Sequence, residues 1–160
     1  MATDMFLLLD GVKGEAKDAS GKHNDEIEVQ SWSWGATQTG SSHGGGGSGT
    51  GKVQVADLSI VKYVDKSTPV LFQMCAKGKA IGSGKLTLRK AGGNPLEYLV
   101  ISFKQAIVSG VTHGGTGGDD RVSETVTFNF ASVQIDYTPQ KGDGSPAATV
   151  SAPFDIAGNG

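Results

Sequence analysis

The segment 126–137, VTFNFASVQIDY, carries the clearest change of apolar parity in this chain. Its large apolar residues fall on even positions in the first half and on odd positions in the second; they are Val126, Phe128, Phe130, Val133, Ile135 and Tyr137. Because successive side chains on a strand point to opposite faces, one residue of slip moves the apolar set to the other face. The pattern predicts a long strand with a β-bulge or a bend between sheets, and such devices close a sheet into a barrel.

The same change of parity occurs twice earlier in the chain. Ile27 and Val29 give way to Trp32 and Trp34, and the apolar positions 53 and 55 give way to 58 and 60. Further strands are predicted at 5–9, at 96–107, which is apolar on both parities, and at 148–156. We therefore predict a mainly β protein, a single domain over residues 1–160 whose bent strands close into a barrel, with one short α-helix.

The helix is predicted over residues 67–78, STPVLFQMCAKG. Thr68 can cap the first amides, Pro69 suits the first turn, and Gly78 suits a left-handed stop. The residues Leu71, Met74 and Cys75 then share one face, which we interpret as a stripe packed on the barrel.

Charge and the start of the chain limit the classes of partner. Lys and Arg total 14 and Asp and Glu total 16, so there is no basic surface for nucleic acid and no polybasic membrane anchor. Cys75 is the single cysteine, which excludes an intrachain disulfide. Residues 1–10 carry Asp4 and only a short apolar run, so we expect synthesis in the cytoplasm without a cleaved signal peptide. Partners are expected to be proteins.

Glycine is concentrated in two predicted flexible loops, near 40–51 and 110–118. Ordering a residue costs about 1–2 kcal/mol of backbone entropy, and the first loop has no apolar side chain to offset that cost. It is either a simple connector or a segment that docks on a neighbouring copy. The candidate docking residues are Gly40, Ser41, Ser42, His43, Gly44, Gly45, Gly46, Gly47, Ser48, Gly49, Thr50 and Gly51.

Three motifs resemble catalytic or ligand sites but lack a required part. Residues 46–53 have the spacing of a phosphate-binding loop, but Val53 stands where Ser or Thr should bind magnesium, and a strand is predicted next. His43 and His113 each precede glycines, as in some oxyanion holes, but the single Gly-x-Ser-x-Gly match, at 40–44, lies in a predicted glycine-rich loop and not in a turn from a strand to a helix. Residues 114–121 nearly fit a calcium-binding repeat, but Arg121 replaces an apolar residue and no second copy follows. No catalytic, cofactor or metal site is predicted.

Several short motifs occur in an order and spacing that closely resemble the haemolysin-coregulated protein (Hcp) family of type VI secretion. They lie between about Asp4 and Gln140, at 4–6, 12–15, 32–35, 62–69, 88–93, 97–99 and 129–131. The resemblance implies a β-barrel of two sheets with a helix against its side. It also implies hexameric rings that stack into a tube within a contractile sheath, and a lumen that carries or chaperones small effector proteins. The tube would be made in the bacterial cytoplasm and secreted by the type VI system.

The resemblance further implies which partners and residues matter. The partners would be other copies of the chain and the sheath, spike and effector proteins, and segment 40–51 would contact adjacent subunits or rings. Ser33, between two tryptophans expected to face the barrel, is a candidate lumen contact for effectors or a plain polar residue on a solvated strand. The alternative function is a monomeric β-barrel that binds a glycan or similar ligand, which would require exposed aromatic residues clustered at a loop rim.

Overall fold

The computed structural model describes residues 3–40, 51–92 and 95–158, which form ten β-strands and one α-helix. The elements are β1 Thr3–Leu9, β2 Ile27–Glu28, β3 Ser31–Ser33, β4 Ala36–Gln38, β5 Val53–Val55, β6 Leu58–Tyr63, α1 Ser67–Lys77, β7 Ala80–Lys90, β8 Glu97–Gly114, β9 Ser123–Tyr137 and β10 Val150–Asp155. Eight strands form one curled antiparallel sheet in the order β2-β1-β7-β8-β9-β6-β3, with β10 also paired to β9.

Strand β9 changes partners where its apolar parity changes. Its first half pairs with β6, with Leu58 opposite Phe128, and its second half pairs with β10, with Phe154 opposite Val133. Even positions up to Phe130 are buried, and Val133 is then buried on the odd phase. The predicted slip in segment 126–137 is confirmed.

Segment 27–33 joins the two ends of the main sheet. Its first part pairs with β1, with Ile27 opposite Leu7, and its last part pairs with β6. Between them the Val29 amide donates to the Met5 carbonyl at 3.0 Å, and the Gln30 amide donates to the Val61 carbonyl at 2.7 Å. Buried residues from both halves of the sheet form one core. The predicted mainly β barrel is confirmed, and its closure depends on this one short segment.

A second sheet, which we call the ribbon, consists only of β4 and β5. Ala36 lies opposite Val55 and Gln38 opposite Val53. All three residues of β4 are exposed, and those of β5 are exposed or half-buried. The parity change between positions 55 and 58 therefore reflects a break between two strands in different sheets.

The helix forms where the sequence predicts it. Gly78 has φ of +63°, and Leu71 and Met74 are buried. The predicted cap is wrong, however, because Thr68 lies inside the helix and its hydroxyl accepts a hydrogen bond from the Asp65 amide at 3.0 Å. The Asp65 carboxylate instead accepts from the Ser67 amide at 2.8 Å.

The prediction of a flexible loop at 110–118 is wrong for its first half. Strand β8 continues to Gly114, and only the residues after it turn towards β9. A Cβ on Gly110 would lie 2.8 Å from Oγ1 of Thr127, so this glycine is required by close approach of two strands. Residues 41–50 of the other predicted loop lie outside the described residues.

The last strand, β10, is an edge strand that pairs with β9 and contains Pro153. No other strand in the described part of the chain pairs with it. Its presence confirms the strand predicted within 148–156.

Candidate interaction surfaces

The outer side of β3, β6, β9 and the end of β8 presents short hydroxyl side chains. Ser33 lies opposite Ser59, and Ser59 lies opposite Thr127 on the next strand. We call this surface the hydroxyl face and define it by Ser31, Ser33, Ser59, Thr112, Thr125 and Thr127. These residues are exposed or half-buried, and none carries a charge. Such a surface can donate and accept single hydrogen bonds but cannot form ion pairs.

Ser33 occupies the outward position between two core-packed indoles. Trp32 and Trp34 pack against the core, and the Trp34 ring lies 6.0 Å from the ring of Phe130. Ser33 is exposed. The predicted orientation of the two tryptophans is therefore confirmed, while the role of Ser33 stays a prediction.

The ribbon ends at the glycine-rich segment 40–51. Oγ1 of Thr39 accepts from the Lys52 amide at 3.2 Å and donates to the Lys52 carbonyl at 3.3 Å. A Cβ on Gly51 would overlap the backbone of Gly40, so the two chain ends touch at this point. An isolated two-stranded ribbon is only marginally stable in water, which favours its use in a contact with another surface.

Two fully buried charges escaped the sequence analysis. The Lys62 ammonium lies 2.5 Å from the Glu124 carboxylate, and both side chains are 0% exposed. Asp65 lies 3.0 Å from the same ammonium, and Nε2 of His113 lies 3.0 Å from Oε2 of Glu124. A signal was present, because Lys62 continues the even apolar positions of β6. The group joins the start of α1 and the end of β8 to the barrel.

A second cluster fixes the loop that precedes β2. His23 is buried, its two ring nitrogens lie 2.8 Å from Glu26 and 2.7 Å from Glu97, and its ring stacks on Phe6 at 4.5 Å. Burial favours the neutral form of Glu97, but hydrogen bonds from His23 and Lys22 outweigh it and lower the pKa of this carboxyl. The cluster explains the fold of the loop and adds no reactive group.

The Arg89 guanidinium also anchors this loop and also contacts Phe6. Arg89 lies 5.0 Å from the Phe6 ring centre and donates to both carboxylate oxygens of Asp18, at 3.0 and 3.1 Å. Hydrogen bonds from Arg89, and then from Ser20, hold the pKa of Asp18 far below its usual value.

The catalytic and ligand motifs gain no support from their surroundings. Lys52 and Val53 lead into β5 rather than into a helix, and His113 contacts Glu124 from the end of β8. Within residues 3–40, 51–92 and 95–158, no group of three His, Cys, Asp or Glu side chains is arranged to hold a metal. No helix in these ranges is long and apolar enough to cross a membrane.

The glycan-binding alternative would require exposed aromatic residues near one another. The exposed aromatic side chains of the described chain are Phe72 and Tyr137. Phe72 lies on α1, which packs against β8, and Tyr137 lies at the end of β9. This arrangement does not favour the alternative.

These features define a class of protein: a closed β-barrel with a helix on one side and a projecting two-stranded ribbon. Residues 6–137 match the family model described as type VI secretion system effector, Hcp, and the chain belongs to this family. It is similar to the protein hcp1 of Pseudomonas aeruginosa, with 60% identity over 146 residues that cover 91% of this chain and 89% of that protein.

Solved structures agree with this assignment. Hcp1 from Salmonella typhimurium is 40% identical, with a TM-score of 0.81 and coverage of 99% of this chain and 98% of that one. A type VI secretion system effector from Yersinia pestis is 34% identical, with a TM-score of 0.78 and coverage of 96% and 100%. A further structure, of a type six secretion system protein, is 28% identical with a TM-score of 0.91 and covers 99% of both chains.

Proposed function

We propose that this protein is the structural tube subunit of a type VI secretion system. Copies form hexameric rings, the rings stack into a tube, and the tube is expelled with small effector proteins in its lumen. The protein is made in the bacterial cytoplasm, is secreted by the type VI system, and acts with sheath, spike and effector proteins. The observation that carries the proposal is the exposed ribbon, which belongs to a chain of the Hcp family.

Assembly into a ring requires two different surfaces on each subunit. In a closed ring, one patch on a subunit meets a different patch on the next. The formal net charge of -2 keeps repulsion between many copies low. This mechanism needs no cofactor and no catalytic group, so we propose that the protein is not an enzyme.

Electron microscopy and native mass spectrometry of the purified protein test the proposal. Six-fold annuli and a hexamer mass are expected at micromolar concentration. A protein that stays monomeric at high concentration would contradict the proposal.

The ribbon and segment 40–51 are proposed to contact the adjacent subunit or ring. The exposure of β4 and the hydrogen bonds between Thr39 and Lys52, which hold the two ends of the segment together, support a projecting contact element. Deletion of 42–49 should leave rings intact and reduce their stacking. A control in which 41–50 is replaced by the same length of alternating Gly and Ser separates loop length from specific contacts. Normal tubes from the deletion variant would remove this part of the proposal.

The hydroxyl face is proposed to line the lumen, with Ser33 as an effector contact. A surface of short, uncharged side chains forms weak contacts, which suits transient binding of different proteins. Ser33→Gln enlarges that face and should lower effector stability and export while rings persist. Ser151→Gln, on the exposed strand β10, is the matched control. Unchanged effector levels with Ser33→Gln would contradict this role.

A further inference from the structure

The chain passes between the barrel and the ribbon at two points. It leaves the barrel after β3 through Trp34 and Gly35 and returns before β6 through Ala56 and Asp57. The Ala56 amide donates to the Gly35 carbonyl at 2.8 Å, so the two passages are held together. This link alone does not fix the direction of the ribbon relative to the barrel.

Asp57 connects the returning passage to two strands of the barrel. Its Oδ2 accepts from the Ser109 hydroxyl at 2.6 Å, and its Oδ1 accepts from Nδ2 of Asn129 at 3.0 Å. Ser109 belongs to β8 and Asn129 to β9, so one carboxylate spans the two central strands. Both of its oxygens have partners.

The bulge in β8 supplies one of these partners. The pairing of β8 with β9 shifts between Val108 and Gly110, so Ser109 has no residue opposite it. Its Oγ also lies 2.9 Å from Oγ1 of Thr127. A bulge redirects a side chain at the cost of regular pairing. Here it directs the Ser109 hydroxyl to Asp57.

The departing passage is anchored by packing instead of hydrogen bonds to side chains. Trp34 packs against the core and contacts the ring of Phe130. The ribbon is therefore attached to the barrel through an indole on one passage and a carboxylate on the other. Two anchors, unlike one, restrict rotation of the ribbon about the joint.

We infer that Asp57 and Ser109 are positioning residues that fix the direction in which the ribbon leaves the barrel. The inference rests on the proposed function, in which the ribbon contacts a neighbouring copy. Asp57 is half-buried and Ser109 exposed, so their bonds contribute little to folding. Their effect is to order the ribbon before contact, which lowers the entropy lost on assembly.

Three variants separate the hydrogen bonds from the charge. Asp57→Ala removes both bonds, while Asp57→Asn removes the charge but retains an acceptor for Asn129 and offers a donor to Ser109. Ser109→Ala removes one bond from the barrel side. The measurements are ring stacking against protein concentration, thermal unfolding, and acrylamide quenching of Trp34 in a Trp32→Phe background, where it is the single tryptophan.

Asp57→Ala should require about tenfold more protein for half-maximal stacking, since about 1.4 kcal/mol of ordering is lost. Ser109→Ala should show a smaller effect in the same direction, and Asp57→Asn should stay close to the parent protein. Quenching of Trp34 should increase in Asp57→Ala, with rings and thermal midpoint retained.

Stacking and quenching that are the same in Asp57→Ala as in the parent protein would overturn the inference. Equal losses in both variants would also overturn it, because the charge and not the bonds would then matter. A parent protein that fails to stack would contradict the proposed function. Quenching is measured on the unstacked protein, so the quenching comparison would still test the role of Asp57.

Discussion

The eight-stranded main sheet, which we call the wall, and the ribbon both consist of antiparallel strands, but they differ in what covers them. The wall encloses a core that includes fully buried Leu58, Ile60 and Phe128. The ribbon exposes every residue of β4 and has no buried residue in β5. Burial stabilises strands by about 25 cal/mol per Å² of apolar surface, and the ribbon gains little of this from its own chain.

We therefore expect changes in the two regions to have different effects. The wall is specified by contacts within one chain, so changes there should affect folding. The ribbon is attached through Trp34 and Asp57 but not covered, so changes there should affect association and leave folding intact. The following predictions test this division.

The largest effect is expected where a charge in the wall loses its partner. Glu124→Ala removes the fully buried partner of the Lys62 ammonium and leaves it with Asp65 and the Thr68 hydroxyl, and should lower the free energy of unfolding by about 3–5 kcal/mol. Urea unfolding followed by tryptophan fluorescence measures this loss. The double variant Lys62→Met, Glu124→Leu should recover much of the stability, since neither of the two fully buried charges then remains. A single variant as stable as the parent would contradict the assignment of the pair to the core.

A methyl group added to the wall should have the next largest effect. A Cβ on Gly84 would overlap the ring of Phe103 and lie 3.0 Å from Leu9, so Gly84→Ala should cost about 1–3 kcal/mol. Gly82→Ala is the matched control on the same strand, because its Cβ would meet only the flexible end of Asp10 at 3.1 Å. Equal thermal midpoints for the two variants would show that the wall is less tightly packed at β7 than described.

The Asp18 carboxylate, which is paired with Arg89, should make stability depend on pH. Hydrogen bonds from Arg89 and Ser20 lower the pKa of Asp18 from 3.8, so its contribution to stability is present above about pH 4 and lost as the pH falls below it. Asp18→Asn should be less stable at pH 7, and the difference from the parent should shrink as the pH falls from 4 to 2. Urea titrations at several pH values measure this difference. A difference that is constant with pH would contradict the role of the Asp18 charge.

The smallest effect on folding is expected in the ribbon. The Ala56 amide donates to the Gly35 carbonyl across the ribbon, and Gln54 lies two residues earlier, in β5, opposite Thr37. Because alternate residues of a strand pair in the same way, Gln54→Pro should remove the amide that donates at this position. The free energy of unfolding should change by no more than about 0.5 kcal/mol, while stacking is lost. Gln134→Pro, in the middle of β9, is the control that should destabilise the barrel strongly. A large loss of stability from Gln54→Pro would contradict the expectation that the ribbon does not contribute to folding.

Local patterns in the sequence predicted much of the wall. The slip near Ala131, the helix over Leu71 and Met74, and its stop at Gly78 follow from periodicity and from backbone freedom, which depend on neighbouring residues. The outward position of Ser33 also followed from alternation. These features needed no knowledge of distant contacts.

The failures share a different cause. Gly110 suggested a loop, but its small size is needed because Thr127 approaches from a strand far along the chain. Glu124 is 62 residues from Lys62 and Glu97 is 74 residues from His23, and composition does not reveal such distant contacts. Asp57 was missed for the same reason, since its bonds reach β8 and β9.

Pro153 in β10 has a consequence for handling of the free chain. A proline is accepted on an edge strand where its nitrogen faces away from the neighbour, so the open side of β10 lacks a donor at its centre. A strand of another chain cannot form a regular ladder there, and this disfavours aggregation through the edge of the sheet at high protein concentration. Restoring that donor with Pro153→Thr would give a chain that precipitates more readily when concentrated.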